Sequence, residues 1–455
     1  MVKKKTEPVT SKRLKSRQLH SPTADSSLFT YRKSILPNGI RVVTEAIPHV
    51  KSVAIGVWID IGSRDETEKN SGISHFIEHM VFKGTRGRSL REISRSIESV
   101  GGYLNAFTSK EHTCYYTRVL DEYSELALDV LSDLVQGATF PEKEIEKEKG
   151  VVIEELRNAE DDPDDIIHDY LEKALYGSHP LGFPVIGTEA NLRAFSRHDL
   201  VAYRSRNYLP SRMVLAVAGN VQHEKFVEMV KKYFPLRRTG NGLTRSRKRP
   251  AVGNPNNLEI ERPIQQAHVC LGTMAYNVKS PERYPLLLLN TMLGDGMSSR
   301  LFQNIRERYG FAYSVYSFVN MLSDTGSFGV YVGTDHTHVE QCTELVAKEL
   351  NKLATKPVSK AELERTKAQL KGSMMLSLES IPNRMMRLGS SELYFNELSP
   401  LDTIVRQIDN VRVEDVLRVA GSLFRQERFS KIVFRPNNAM RNSPARRAAR
   451  ARTNK

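Results

Sequence analysis

A chain of 455 residues is too long for one ordinary domain, and at roughly 100 to 200 residues per domain it predicts two or three compact units. Hydrophobic residues at 40% and charged residues at 26% exclude a disordered or fibrous polymer, and no apolar stretch approaches the ~20 residues that span a bilayer. The net charge of +14 does not imply a nucleic-acid binder, because residues 1–17, 237–249 and 440–455 hold more positive charge than that and leave the remainder mildly acidic.

Residues 1–28 read as a disordered basic tail. Met1 to Ser34 lacks the apolar run of a secretory signal. Its Arg, Lys and Ser imitate a mitochondrial presequence, but a Lys-rich start with Pro8 and Pro22 opposes an amphipathic helix, so a cytoplasmic location is expected, with the mitochondrial matrix as alternative. Cys114, Cys270 and Cys342 show no CxxC spacing and suggest neither a disulfide framework nor a thiolate metal site.

From residue 29 to 235 the pattern predicts a strand (Ser52 to Ile61), a helix (Ser71 to Phe82) and a second helix (Leu90 to Val100). A hairpin (Tyr103 to Leu120), a third helix (Ser124 to Val135), a long acidic helix from Pro141 and a strand (Arg212 to Ala218) follow. Periodicity stops across residues 236–257, a basic linker rich in Gly, Asn and Pro. Residues 258–437 then repeat the plan: strand Gln266 to Met274, helices Glu282 to Leu293 and Ser299 to Arg308, strands Ala312 to Met321 and Gly326 to Gly333, helix His338 to Leu353, a long helix from Lys360 and strand Ser430 to Phe434. Residues 438–455 form a second basic tail. Strands in adjacent hairpins mixed with helices predict an α+β fold, duplicated, with a mainly antiparallel sheet in each half.

The segment His75-Phe76-Ile77-Glu78-His79 sits in the first predicted helix, with Asn70 or Ser71 as N-cap and Gly84 as stop. At ~100° per residue, His75, Glu78 and His79 gather on one side, opposite an apolar stripe of Ile73, Phe76, Ile77 and Met80. Two imidazoles one turn apart can reach a common zinc, and a neighbouring carboxylate can take a proton from an attacking water. The site lacks one ligand. In the long acidic helix, Glu148 and Glu155 fall two turns apart on the face that carries Ile145, Val151, Val152 and Leu156. A carboxylate turned toward a core needs a compensating cation, so Glu155 is the expected third ligand and Glu148 its supporting neighbour.

With these residues in place, the chain resembles the pitrilysin-type (M16) metallopeptidases, whose inverted HxxEH is the inverzincin arrangement. The resemblance runs from about Thr30 to Asn437 and is nearest to the single-chain bacterial members related to the mitochondrial processing peptidase β subunit. It implies a clamshell of two homologous halves holding one Zn2+ per chain, and a zinc endopeptidase acting on extended or presequence-like peptides. It further implies that Asn105, Ala106 and Phe107 lie on a sheet edge where peptide docks, and that Arg306 and Tyr313 complete the site from the second half. Homodimerisation is expected on the same ground. Gly294-Asp295-Gly296-Met297-Ser298-Ser299 has no Walker lysine and reads as a turn between helices. No HxxEH occurs in the second half. A non-catalytic assembly subunit of the same fold is the rival reading, opposed by the intact His75, Glu78, His79 and Glu155.

Overall fold

In a computed structural model, residues 30–235 and 247–437 are described; the expected tails and residues 236–246 of the expected linker lie outside them. Strands β1 (Thr30–Ile35), β2 (Arg41–Ala46), β3 (Ser52–Ile59), β4 (Tyr103–Thr108), β5 (Thr113–Leu120) and β6 (Met213–Gly219) form one sheet in the order β1-β2-β6-β3-β5-β4. Neighbours are antiparallel except the parallel pair β2 and β6, and β4 forms one edge.

Alternation along β3 explains how this sheet is covered. Val53, Ile55, Val57 and Ile59 enter a core with helices of the same half: α1 (Ile73–Val81), α2 (Leu90–Glu98), α3 (Ser124–Gly137), α4 (Glu142–Asp161) and, beyond α5 (Pro163–Tyr176) and α6 (Glu189–Ala194), α7 (Arg197–Asn207) and α8 (His223–Tyr233). Ala54 and Trp58, which alternate with them, face the other way.

The second half repeats this with β7 (Asn257–Arg262), β8 (Ala267–Ala275), β9 (Ala312–Met321), β10 (Gly326–Thr334) and β11 (Ser430–Pro436), ordered β7-β11-β8-β10-β9. Only β7 and β11 are parallel. Its helices are α9 (Arg283–Gly294), α10 (Val339–Thr355), α11 (Lys360–Ser377), α12 (Ile381–Phe395), α13 (Leu401–Asp409) and α14 (Val413–Leu423).

Each half lends the other a helix. Ile381, Met385 and Leu388 of α12 pack on Val43, Ala54, Trp58, Val214 and Ala216 of the first sheet. Ile167, Leu171 and Leu175 of α5 pack on Cys270, Tyr331, Ile432 and Phe434 of the second. In both halves the lent helix directly follows the long one, α4 or α11, so the clamshell is one plan used twice. Both faces of each sheet are thereby dry, which is why every residue of β6 and β10 is buried. The three cysteines are free and buried.

Several boundaries differ from the sequence reading. β1, β2, α5 to α8, β7 and α12 to α14 have no counterpart in the predicted elements. The helix expected over Ser299 to Arg308 is a π-helix over Phe302–Glu307. The expected linker already belongs to the fold from Arg247, whose guanidinium holds Asp65 and the Glu111 carbonyl, and β7 begins inside it at Asn257. The Arg247 cation is bound by the buried carboxylates of Asp65 and Glu111, partners that periodicity does not reveal.

The α12 contact is tight because Gly389 faces Trp58 and Gly56 faces Met385: a Cβ on Gly389 would come within 2.1 Å of the indole. Overfilling a packed interface costs about 1–3 kcal/mol. Gly389→Ala is therefore expected to lower the urea midpoint of unfolding, while Gly372→Ala, inside α11 where a Cβ meets nothing within 4 Å, does not lower it.

Candidate metal centre

The α1 helix buries Ile73, Phe76, Ile77 and Met80 and turns His75, Glu78 and His79 outward toward α4. Its start differs from expectation. The N-cap is Gly72 at φ 96°, where a Cβ would strike Ile186 O at 2.6 Å and Gly187 Cα at 2.8 Å; Asn70 instead ends a short 3-10 turn. Capping comes from Glu66, whose two carboxylate oxygens accept from Gly72 N at 2.7 Å and Ser74 N at 2.9 Å. Ser74 Oγ also hydrogen-bonds Tyr203 OH at 2.9 Å, so the helix end is held from two sides.

On α4, the face that packs carries Ile145, Glu148, Val152, Ile153 and Leu156. Glu148 is buried, as a core-facing position requires. Glu155 is not: its side chain is 47% exposed and neighbouring Val151 is 52% exposed, so this wedge of α4 borders open space rather than core. The helical wheel placed both glutamates on one face, but the core covers only part of that arc.

These side chains converge. Glu155 Oε1 lies 3.7 Å from His75 Nε2, and its Oε2 lies 3.4 Å from His79 Nε2. One donor atom from each of the three residues lies within 4.8 Å of the others, and theirs is the single such grouping of His, Cys, Asp or Glu among the described residues. Tetrahedral coordination at about 2.0–2.1 Å sets ligand atoms about 3.4 Å apart, so the spacing suits zinc and leaves a fourth position for water or substrate.

Electrostatics agree with geometry. Burial, with His79 alongside, depresses the His75 imidazole to about 4, although Glu155 opposes this. Burial also works against charge on His79, but bonding to Glu148 and Glu155 outweighs it and lifts the ring to about 9. Two imidazoles and a carboxylate competing for one positive charge form a centre that a divalent cation satisfies in place of the proton. His75 Nδ1 is buried with no hydrogen-bond partner among the described residues.

Glu148 Oε1 hydrogen-bonds His79 Nδ1 at 2.9 Å, which leaves Nε2 facing Glu155, while Lys83 Nζ sits 2.7 Å from the other oxygen. Burial would raise the Glu148 carboxyl, yet these two partners hold it below the usual range. Glu155 is likewise lowered, first by His79. Glu78 behaves oppositely: burial raises its proton affinity, although Thr108 Oγ1 donates to its Oε2 at 2.6 Å.

Thr108 ends the edge strand β4, so Asn105, Ala106 and Phe107 lead directly toward Glu78. Ala106 N donates to its neighbour's Asn105 Oδ1 at 2.8 Å, and Phe107 packs edge-on against Trp58. Arg306 and Tyr313 are exposed in the second half, Arg306 over the Phe302 ring at 4.9 Å and Tyr313 at 73% exposure; no hydrogen bond or ion pair joins either to the His75, Glu78, His79 and Glu155 group among the described residues. The sequence reading gave no role to Glu66 or Lys83, and it placed Thr108 on the docking edge without its bond to Glu78. Lys83 could have been found as the residue one helical turn past His79, and Glu66 as an acid placed just before a helix start.

Comparison with known proteins gives one picture. Residues 41–189 match the family described as Insulinase (Peptidase family M16), and residues 194–370 match the Peptidase M16 inactive domain. The chain is 45% identical over 390 residues to the uncharacterized zinc protease YmxG of Bacillus subtilis, covering 86% of this chain and 95% of that one. It is 38% identical over 432 residues to the uncharacterized zinc protease Rv2782c of Mycobacterium tuberculosis, covering 93% and 97%. A protease from Helicobacter pylori shares the fold with a TM-score of 0.84 at 24% identity, over 90% of this chain and 100% of that one.

Losing the Glu66 carboxylate strands two buried N–H groups, at about 1–3 kcal/mol each. Glu66→Ala is expected to lower the thermal midpoint well below that of the control Glu68→Ala, in a scan of the two variants beside the parent protein.

Proposed function

The chain belongs to the M16 peptidase family, and from that premise we propose that it is a zinc-dependent endopeptidase whose metal is held by His75, His79 and Glu155. The observation that carries this reading is the convergence of those three donors, with Glu148 fixing the His79 ring so that Nε2 is presented. When bound, zinc supplies Lewis acidity toward the scissile carbonyl and makes water a nucleophile near neutral pH.

The remaining roles fall to the protein. Glu78 takes the proton of the attacking water and returns it to the leaving amine; burial raises its proton affinity toward what such a base needs, and the Thr108 hydroxyl keeps the carboxylate aimed. An extended peptide adds alongside β4 over Asn105, Ala106 and Phe107 through the backbone groups that point away from β5, which tolerates many sequences. For this, the Asn105 side chain gives up the Ala106 N–H that it now accepts. Because β4 ends at Thr108, a peptide in that register delivers its backbone to Glu78. Arg306 and Tyr313 are assigned to the substrate carbonyl from the second half, a role that needs the halves to close.

The proposal extends to one zinc per chain, extended or presequence-like peptides as substrates, a homodimer and a bacterial cytoplasmic setting, on the strength of the resemblance and the bacterial relatives. No helix among the described residues is long and apolar enough to cross a membrane. The complete donor set disfavours the rival reading of a non-catalytic assembly subunit.

Three variants test the assignment. Glu78→Gln is expected to keep stoichiometric zinc but lose about 10²–10⁴-fold in turnover of a peptide library read by mass spectrometry. Full turnover by that variant would remove Glu78 as the base. Glu155→Ala should lose the metal itself, measured by elemental analysis after dialysis. Glu148→Gln should weaken zinc affinity about 10–100-fold in a chelator competition, with His75 and His79 untouched.

A further inference from the structure

One turn of the second half reaches into the frame of the proposed metal centre. The turn between β9 and β10 carries Ser323 and Asp324. Asp324 binds Arg64 in a two-pronged pair, Oδ1 to Nη1 at 2.9 Å and Oδ2 to Nη2 at 3.0 Å. Ser323 N donates to Glu111 Oε2 at 2.9 Å, and its hydroxyl donates to Glu111 Oε1. Arg64 and Glu111 also pair with each other, and both side chains are 1% exposed.

Arg64 and Glu111 each lead to a different part of the reaction machinery. Arg64 lies in the turn Gly62 to Glu66, whose last residue caps the metal helix through Gly72 N and Ser74 N. Glu111 lies in the β4–β5 connection, three residues past Thr108, which bonds Glu78. The two segments are laced together: Ser63 N donates to Ser109 O at 3.1 Å and Arg64 N to Lys110 O at 2.9 Å. Gly62 permits this, since a Cβ there would lie 2.4 Å from Ser109 O. Arg247, where the described chain resumes, closes the network on Asp65 and Glu111.

We infer that Arg64 and Glu111 are positioning residues through which the seating of the Ser323–Asp324 turn of the second half sets the metal helix and the Glu78–Thr108 pair. The physical reason is rigidity. Two buried, opposite charges bonded to each other and to a third element have few alternative geometries, so displacement of that element must be taken up by the backbone segments that carry them. Those segments are 62–66, which meets α1 through the Glu66 carboxylate, and 109–111, which follows β4 directly. The catalytic part of this inference rests on the peptidase reading above; the mechanical part does not.

The test uses Asp324→Asn in the full chain, which removes one charge at a partly exposed position and leaves the centre's own residues in place. Hydrogen exchange read by mass spectrometry is expected to show residues 72–81 and 103–108 exchanging about tenfold faster, with β6 unchanged as internal reference. With zinc loaded to the parent level, kcat on a library-selected peptide should fall about tenfold while KM stays within about twofold, and Asp324→Glu should recover most of the loss. Ser323→Ala, which removes the hydroxyl's bonds to Glu111 and Arg64 but leaves the Asp324 pair, should move both readouts in the same direction by less, and it serves if Asp324→Asn does not fold. Faster exchange confined to residues 320–326, or a loss seen in KM alone, overturns the coupling. If the parent protein with zinc cleaves no peptide, the peptidase reading fails while the exchange measurement still decides the coupling.

Discussion

Two sheets, each apolar on both faces, impose the constraint from which the rest of the molecule follows. Such a sheet cannot face water on either side, and in each half the helices of its own connections cover only one face. Reciprocal exchange of α5 and α12 solves the problem for both at once. Buried ion pairs then select the seating: Arg384 with Glu45, and Glu392 with Lys33 and Arg41, tie α12 across the first sheet. Pairs of this kind add little net stability but disfavour a shifted register, in which a charge would be buried alone.

The candidate metal centre is built within the first half. Its donors all come from the first half, on two helices that pack against the same core. A helix as short as α1 would be marginal alone in water, and it stays in place through an apolar face, a left-handed glycine start and a carboxylate cap. The polar side of the same nine residues is then free to be unsuitable for a core. Burial depresses His75, and Glu148 together with Lys83 organises His79, so both rings turn Nε2 toward Glu155.

Duplication without repetition of the metal motif divides the labour. The second half keeps the plan of sheet, long helix and lent helix, and it contributes walls and fixings rather than donors. The network at Arg64, Glu111 and Asp324 is where those fixings touch the first half's working parts.

The sequence by itself determined a good deal, and for a physical reason: whatever is encoded in periodicity along one element is visible without the fold. The α1 stripe opposite His75, Glu78 and His79, the hairpin of β4 and β5 and the repeated order of elements are all of that kind. Glu148 could be singled out because a carboxylate among Ile145, Val152 and Leu156 conflicts with its own helix face. Tertiary structure alone decided what depends on neighbours distant in sequence. It decided that Glu155 meets open space while Glu148 is covered, that Glu66 rather than Asn70 or Ser71 caps the metal helix, and that Arg247 is bound rather than solvated. It also decided that α5 and α12 cross to the opposite half. A helical wheel reports which residues share a face; only the packed molecule reports what that face meets.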